Sequence, residues 1–544
     1  MKLKTNLIAG AALAVCSISS FAASGLNSAA CSAAIVDGTT AAALVNNCAP
    51  AATLFVGGAS TMSGNIAAIL NSTIFDTTKM TPIAVSEPSP AVTPAGLNGN
   101  VKYFIGKSKV AFGNVAAGSL IFAIYNYNNG SAQGASQLLG KLPKLSANTG
   151  PNAIPEADVL FVGPAKDANT PGGTTPNTCT GASATAVTCS SHTTQQLALA
   201  LMDVRAEELY AVYPAAAGGK LSSLTEVPLF VESFAVGVSD PLYKALQEKN
   251  FGVGSACIGD FADASCQPSI SRADYSSLIM TGGAIKSLGD LVGAANQTVA
   301  NDGLTDHVLH LARRDDLSGT QAASNIYFAN GQCGGNDREA STVDGLPYAY
   351  FNAKSIDAGV LKAGGLLGGL AIRTHGDAES ASLTGLDIQI NPASGQVKTA
   401  LSSTTTYAIG VVGAGGGGAI ASGHGRQIKV DGASPNFDGT NFANATATRN
   451  QLASGAYNFG TVMHAAYVAG NLSKDKSGAT GAMVQAMISA FQNSNNSNVS
   501  GVAYLDGATT GVPAQQSQVV RSDSNGKPNN CSPFHRISAM DTAL

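Results

Sequence analysis

The 544-residue chain has no tryptophan and few charged residues, which make up only 12% of it. Nucleic-acid-binding and disordered chains carry more charge and less apolar material than the 44% hydrophobic residues found here, so the composition excludes both classes. Beyond the N-terminus, no uninterrupted apolar run reaches the roughly 18 residues that a membrane-spanning helix requires. We therefore expect a soluble mature chain with a sizeable hydrophobic core.

Several catalytic and metal-binding motifs are also missing. The sequence contains no His-Glu-x-x-His helix and no phosphate loop with its lysine. Ser318 lacks the glycine that a nucleophile elbow places two residues earlier, because Asp316 stands there. His307 and His310 are three residues apart, which puts them on opposite faces of a strand and argues against a shared metal. We expect neither an enzyme nor a bound cofactor or metal.

The N-terminus predicts export. A positively charged start and an apolar run over 7–15 precede the small residues Ser20 and Ala22, at the two positions that a signal peptidase reads, so residues 1–22 are interpreted as a cleaved signal peptide. Cys16 raises the alternative of a lipoprotein, although Val15 stands where a lipid-attachment signal has a small residue. Removal of two lysines with the signal changes the formal net charge from −4 to −6. The surface of a periplasmic or secreted protein with this net charge does not attract anions, so any anion site must be formed by helix ends and one or two arginines.

Eight of the nine cysteines remain after that cleavage, an even number in an oxidising compartment. Proximity along the chain predicts four disulfides: Cys31–Cys48, Cys179–Cys189, Cys257–Cys266 and Cys333–Cys531. Buried free thiols are the alternative.

One local pattern occurs three times: an apolar strand, a turn of glycine and hydroxylated residues, and an amphipathic helix. The strands are predicted at 53–56, 120–125 and 308–312, and the turns at 57–61, 129–134 and 318–320. A single turn of this kind predicts only a helix cap, because serine and threonine cap helices in any protein. Three of them in an α/β sheet indicate donors that converge at the carboxyl ends of the strands.

The third copy adds an arginine. Residues 309–321 bring Arg314 and the Ser-Gly-Thr turn at 318–320 to the start of a predicted helix, where backbone N–H groups have no intrahelical acceptor. Together these groups form a typical site for a small oxyanion. In the alternative interpretation, Arg314 faces solvent and pairs with Asp315 or Asp316.

These residues resemble the periplasmic phosphate-binding proteins of ABC transporters, members of the type II periplasmic binding protein family. Residues 314–320 are similar to the family's Arg-x-Asp-Gly-Ser-Gly-Thr anion loop, with Leu317 in place of a glycine. Four further segments resemble family segments in the same order: 58–62, 130–134, 275–288 without the family's tryptophan, and 407–411.

The resemblance implies an α/β fold with two lobes and a ligand cleft between them. The implied boundaries are a signal peptide at 1–22, the first part of lobe one at 23–227, lobe two at 228–456 and the second part of lobe one at 457–544. The chain would cross between the lobes near 228–238 and return near 457–467. Segments at about 140–195 and about 330–400 are interpreted as surface insertions, held in part by disulfides.

The resemblance also implies the ligand-binding residues. They are Ser60, Thr61, Ser131 and Asp203 in lobe one, and Arg314, Ser318, Gly319 and Thr320 in lobe two. Either Ser60 or Thr61 holds the place of the family's threonine, so both are kept. Asp203 would accept a hydrogen bond from protonated phosphate and so reject a fully ionised anion such as sulfate. In the alternative interpretation, Asp203 is a carboxylate at the start of an exposed helix.

The implied function is that of an exported solute-binding protein that captures phosphate or a similar tetrahedral oxyanion by hinge closure. The implied partners are the membrane subunits of an ABC transporter, and we expect a monomer. A secreted or surface protein that keeps this fold for a structural or adhesive role is the alternative. A phosphoester hydrolase ranks last, because no metal ligands or activated nucleophile can be assembled.

Overall fold

The structure is a computed structural model of the chain. It describes residues 48, 50–59, 61–62, 66–87, 101–126, 130–139, 160–161, 179–183, 186–189, 193–194, 197–209, 218–279, 284–285, 287–304, 307, 309–314, 319–329, 370–375, 406–413, 425–435, 452, 456–492, 502–504, 519–521 and 534–536. The predicted signal peptide at 1–22, Ser60 and Ser318 lie outside these residues.

The described residues form 19 strands and a set of mostly short helices. The strands are β1 (Ala52–Gly58), β2 (Ile83–Glu87), β3 (Val101–Lys107), β4 (Leu120–Asn126), β5 (Leu160–Phe161), β6 (Cys179–Ser183), β7 (Ala186–Cys189), β8 (Thr193–Thr194), β9 (Leu199–Met202), β10 (Thr225–Ser239), β11 (Ser269–Ile270), β12 (Leu309–Arg314), β13 (Leu370–His375), β14 (Tyr407–Gly413), β15 (Gly425–Val430), β16 (Gly460–Tyr467), β17 (Val502–Tyr504), β18 (Val519–Arg521) and β19 (Phe534–Arg536). The α-helices are α1 (Ile66–Thr73), α2 (Gly130–Leu139), α3 (Ala206–Leu209), α4 (Asp240–Phe251), α5 (Arg272–Ile279), α6 (Leu288–Val292), α7 (Gln297–Ala300), α8 (Gly319–Ala329), α9 (Ala469–Leu472) and α10 (Ala479–Gln492). Short 3₁₀-helices lie at Gly218–Ser223 and Ala264–Cys266.

Fifteen of the strands in the described part of the chain form one mixed sheet. Its order is β13-β12-β14-β10-β16-β9-β1-β4-β3-β2-β7-β6, with β15 and β17 also paired to β10, and β11 paired to β15. Every residue of β1, β4 and β9 is buried, as expected for parallel strands that are covered on both faces. The predicted α/β class is confirmed.

The sheet contains two groups of three parallel strands. In the first strand group, β1 lies between β4 and β9, and in the second strand group, β12 lies between β13 and β14. Each group is bordered by an antiparallel strand: β16 follows β9, and β10 follows β14. The same local order of strands therefore occurs twice.

The 15-residue strand β10 connects the two groups. Its residues 225–233 pair with β16, and its residues 234–238 pair with β14. The segments predicted to cross between the lobes, 228–238 and 457–467, largely coincide with β10 and β16.

Part of a predicted insertion belongs to the main sheet. Within the segment at about 330–400, β13 pairs with β12 over six residues, from Leu309–Leu370 to Arg314–His375. The short apolar run that forms β13 gives little signal among the surrounding polar and glycine residues. In the other segment, at about 140–195, β6 and β7 extend the opposite edge of the sheet.

Helices cover both faces of the first strand group. On one face, α1 and α10 contribute Ile66, Leu70, Met483 and Met487 to a buried cluster, and the helical spacing of these residues explains why they share it. On the other face, α2 contributes Ala135 and Leu138 to a second cluster, which continues into α5 and α8.

Among the helices that the structure describes, none is long and apolar enough to cross a bilayer.

The disulfide between Cys257 and Cys266 is confirmed. Cys48 and Cys179 are also disulfide-bonded, and Cys179 lies opposite Cys189 in the β6–β7 hairpin. Of the remaining predicted partners, Cys31, Cys333 and Cys531 lie outside the described residues.

Candidate functional site

The candidate residues of the first strand group follow the carboxyl ends of three neighbouring strands. Thr61 follows β1, Ser131 follows β4, and Asp203 follows β9. Because β1 is parallel to both of its neighbours, these three ends lie at one edge of the sheet.

Glycine at position 58 is required by the turn after β1. Gly58 has a φ of +118°, and a Cβ atom there would lie 2.0 Å from the backbone oxygen of Leu201. The N–H group of Ala59 donates to the same oxygen at 2.8 Å. The turn is therefore pressed against the end of β9, where any side chain at position 58 would clash.

A second glycine brings α2 to the same place. A Cβ atom at Gly134 would lie 2.9 Å from the Cα atom of Gly58 and 3.1 Å from Ala200 Cβ. This close approach of the helix to β1 and β9 places Ser131, in the first turn of α2, beside Asp203. The sequence prediction put a turn over 129–134, but α2 already begins at Gly130. Gly134 serves the packing of the helix, and no turn is formed at that position.

Asp203 is the centre of a buried hydrogen-bonded cluster. Thr61 Oγ1 donates to Asp203 Oδ1 at 2.7 Å, and the N–H group of Asp203 donates to Ser131 Oγ at 3.0 Å. Asp203 is only 2% exposed and Ser131 is fully buried. Asp203 is thus not a carboxylate on an exposed helix face. At the start of α3, the carboxylate that accepts a hydrogen bond is that of Glu226, whose Oε1 lies 2.7 Å from the donating backbone nitrogen of Ala206.

The second strand group contributes the N-terminus of α8. A Cβ atom at Gly319, the first residue of α8, would lie 2.3 Å from Asp203 Oδ2 and 2.3 Å from Ser131 Oγ. The backbone of Gly319 is therefore in direct contact with both residues. Thr320 follows it and is 1% exposed. The first N–H groups of a helix have no intrahelical acceptor and carry partial positive charge, so a helix start is a favourable neighbour for the carboxylate of Asp203.

The hydroxyl groups in this cluster differ in how their protons are used. Thr61 uses its single hydroxyl proton in the hydrogen bond that it donates to Asp203. Ser131 Oγ accepts a hydrogen bond from the N–H group of Asp203, so that bond does not use the hydroxyl proton of Ser131. The cluster thus combines a carboxylate acceptor, a serine hydroxyl and a helix N-terminus.

Three predicted residues are described in part or not at all. Arg314 is the last residue of β12, so its backbone lies at the carboxyl end of the second group's central strand. Its side chain, like Ser60 and Ser318, lies outside the described part of the structure. The structure therefore brings together Thr61, Ser131, Asp203 and Gly319, with Thr320 next to them, and leaves the role of Arg314 as a prediction.

The sequence analysis missed Thr461. This residue lies on β16 and is 1% exposed, and its Oγ1 donates to the backbone oxygen of Asp203 at 2.8 Å. A threonine within an apolar strand carries no distinctive signal, because β-branched residues favour strands anyway. Only the pairing of β16 with β9 shows its position.

His464 is buried close to the cluster but carries no charge at neutral pH. It pairs with Met202, the residue before Asp203, in the β16–β9 ladder. Burial, together with the charge of Arg205, lowers the pKa of His464 to about 3. Its Nδ1 lies 2.9 Å from the oxygen of Val462, so Nδ1 carries the proton of the neutral ring.

No protein-family model and no curated protein matches the chain. One similar solved structure is a proposed phosphate ABC transporter substrate-binding protein with bound phosphate from Clostridium perfringens. Its sequence identity to this chain is 11%, the TM-score is 0.35, and the alignment covers 84% of this chain and 100% of that one. An ABC-type phosphate transport receptor from Vibrio cholerae has 10% identity, a TM-score of 0.31 and coverage of 81% and 94%. PstS from Borrelia burgdorferi has 10% identity, a TM-score of 0.27 and coverage of 81% and 93%. Similarity at this level assigns neither a ligand nor site residues to this chain.

Proposed function

We propose that this protein is a solute-binding protein that captures phosphate or a similar tetrahedral oxyanion between its two strand groups. The observation that carries the proposal is the contact of Gly319, at the N-terminus of α8, with both Ser131 and Asp203. A helix N-terminus and a hydroxyl donor from different parts of the chain meet there, beside a buried carboxylate. Each of these groups suits a protonated oxyanion.

In this proposal the groups have separate tasks. The N–H groups of Gly319 and Thr320 and the hydroxyl of Ser131 donate to anion oxygens. Asp203 accepts a hydrogen bond from the proton on the anion, and Thr61 exchanges its bond to Asp203 for one to the anion. Arg314, at the end of β12, neutralises the anion's charge, while Ser60 and Ser318 complete the donor set.

The two strand groups correspond to the two lobes in this proposal. Lobe one comprises 23–227 and 457–544, and lobe two comprises 228–456, with β10 and β16 as the crossing strands. Because Gly319 touches Ser131 and Asp203, the lobes must separate for an anion to enter and close again around it. Closure removes water from the anion and strengthens its hydrogen bonds. An exported protein of this kind would deliver its ligand to the membrane subunits of a transporter.

Calorimetric titration of the mature chain with phosphate at pH 7 tests the proposal. We expect binding, with Asp203→Asn weakening it about 10- to 150-fold, since a hydrogen bond to a charged group contributes about 1.5–3 kcal/mol. Sulfate has no proton to donate and should bind the parent weakly, and Asp203→Asn should narrow the difference between the two anions. The matched control is Asp274→Asn, which removes a surface carboxylate that pairs with Lys249 at 3.5 Å.

Two results would contradict the proposal. One is a folded parent protein that binds neither phosphate nor related oxyanions, which would favour a structural or adhesive role for this fold. The other is phosphate binding that survives both Asp203→Asn and Arg314→Ala unchanged, which would place the ligand elsewhere.

A further inference from the structure

We infer that Thr461 is a positioning residue for the candidate site, which fixes Asp203 relative to the crossing strand β16 and to α8. This inference rests on the proposed function, in which the carboxylate of Asp203 distinguishes a protonated anion from a fully ionised one. Thr461 has no contact with the anion in this scheme and acts through Asp203.

Thr461 reaches Asp203 beyond the end of the ladder between β16 and β9. The β16–β9 ladder ends at the pair His464–Met202, so the backbone of Asp203 lies just beyond it. Thr461 Oγ1 donates to the carbonyl oxygen of Asp203 at 2.8 Å, so a side chain of β16 makes this bond. The threonine hydroxyl therefore extends the connection between the two strands by one residue.

Asp203 is held from three directions. Its N–H group is bonded to Ser131, its carbonyl oxygen to Thr461, and its carboxylate to Thr61. These three hydroxyls come from α2, from β16 and from the turn after β1. Because each bond fixes a different atom of Asp203, loss of one leaves the residue free to shift about the other two.

The residues just before Thr461 reach the other side of the site. The ring of Phe459 stacks on that of Tyr327 in α8, with the ring centroids 4.5 Å apart and the planes at 18°. Gly460 lies between Phe459 and Thr461 in the sequence. A Cβ atom there would lie 2.9 Å from the backbone oxygen of Glu232 on β10, so β10 and β16 are packed closely at this point. Residues 459–461 thus contact both the helix that begins with Gly319 and the acid that faces it.

The test compares the phosphate affinities of variants at two buried threonines, Thr461 and Thr53. Thr461→Val keeps the shape and removes the hydroxyl, Thr461→Ser restores the hydroxyl, and Thr53→Val is the matched control. Thr53 is 5% exposed on β1, and its Oγ1 has no hydrogen-bond partner within the described part of the chain. We expect Thr461→Val to weaken phosphate binding about 3- to 10-fold, as for loss of one hydrogen bond. Thr461→Ser and Thr53→Val should bind within about twofold of the parent.

Two measurements separate positioning from a general structural effect. The ratio of phosphate to sulfate affinity should fall in Thr461→Val, because sulfate does not use the carboxylate. In an Asp203→Ala background, Thr461→Val should change phosphate affinity by less than about twofold, since the group that it positions is gone. Circular dichroism and thermal unfolding verify folding, and Thr461→Ala replaces the valine variant if the latter does not fold.

The outcomes are distinguishable from failure of the proposed function. If the parent binds no phosphate, the proposed function fails and this inference with it. If the parent binds phosphate and Thr461→Val keeps both affinity and selectivity, only the inference is overturned. An equal loss of affinity in the parent and Asp203→Ala backgrounds would also overturn it, because Thr461 would then act independently of Asp203.

Discussion

Gly319→Ala is the sharpest perturbation that the structure offers. The added Cβ atom would lie 2.3 Å from both Asp203 Oδ2 and Ser131 Oγ, roughly 1 Å closer than ordinary contact. Hydrogen bonds restrict the movement of both oxygens, because Asp203 is hydrogen-bonded to Thr61 and Thr461 as well as to Ser131. We therefore expect α8 to move away from Asp203, which opposes closure of the two strand groups.

The size of the effect follows from the cost of overpacking. Forcing extra atoms into a well-packed site costs about 1–3 kcal/mol, which corresponds to phosphate binding that is about 5- to 150-fold weaker. Alanine also has a higher helix propensity than glycine, so a loss of affinity would not reflect an unstable helix. Isothermal titration calorimetry with phosphate measures the change, and thermal unfolding shows whether the variant is folded.

The matched control is Gly470→Ala. Gly470 lies in the helix α9, and a Cβ atom there would meet nothing within 4 Å. This variant should bind phosphate like the parent. If Gly319→Ala also binds phosphate with the parent's affinity, the contact between α8 and Asp203 is not part of a binding site, and the reasoning that joins the two strand groups at this point is refuted.

Two further predictions concern stability. The pKa of His464 is lowered to about 3, so this residue binds a proton in the unfolded chain but not in the folded one between about pH 6.5 and 3. As the pH decreases through this window, its contribution should lower the free energy of unfolding by about 1.4 kcal/mol for each pH unit. In urea unfolding at several pH values, His464→Gln should show a shallower acid slope, and equal slopes would contradict the assignment. Removing the Cys257–Cys266 disulfide with paired serine substitutions should lower the free energy of unfolding by about 2–3 kcal/mol, measured by urea unfolding. An unchanged midpoint would mean that other contacts hold the loop between the two cysteines.

The sequence by itself determined the local elements around the site. Strands predicted at 53–56, 120–125 and 308–312 correspond to β1, β4 and β12 within two residues at each end. An apolar run that ends in a glycine turn is a local signal, since it depends on a few neighbouring residues. For the same reason the pairing of Cys257 with Cys266 was predictable, because these residues are only 9 apart.

Only the tertiary structure decided how Asp203 is used. Its neighbours in sequence suggested an exposed helix start as readily as a buried acid, and its bonds reach residues 72, 142 and 258 positions away. The same holds for Thr461, whose place beside Asp203 depends on the register of β16, and for β13, which joins the sheet from a segment that looks like an insertion. Contacts over such distances arise from strand order and helix packing, and no local pattern of residues encodes them.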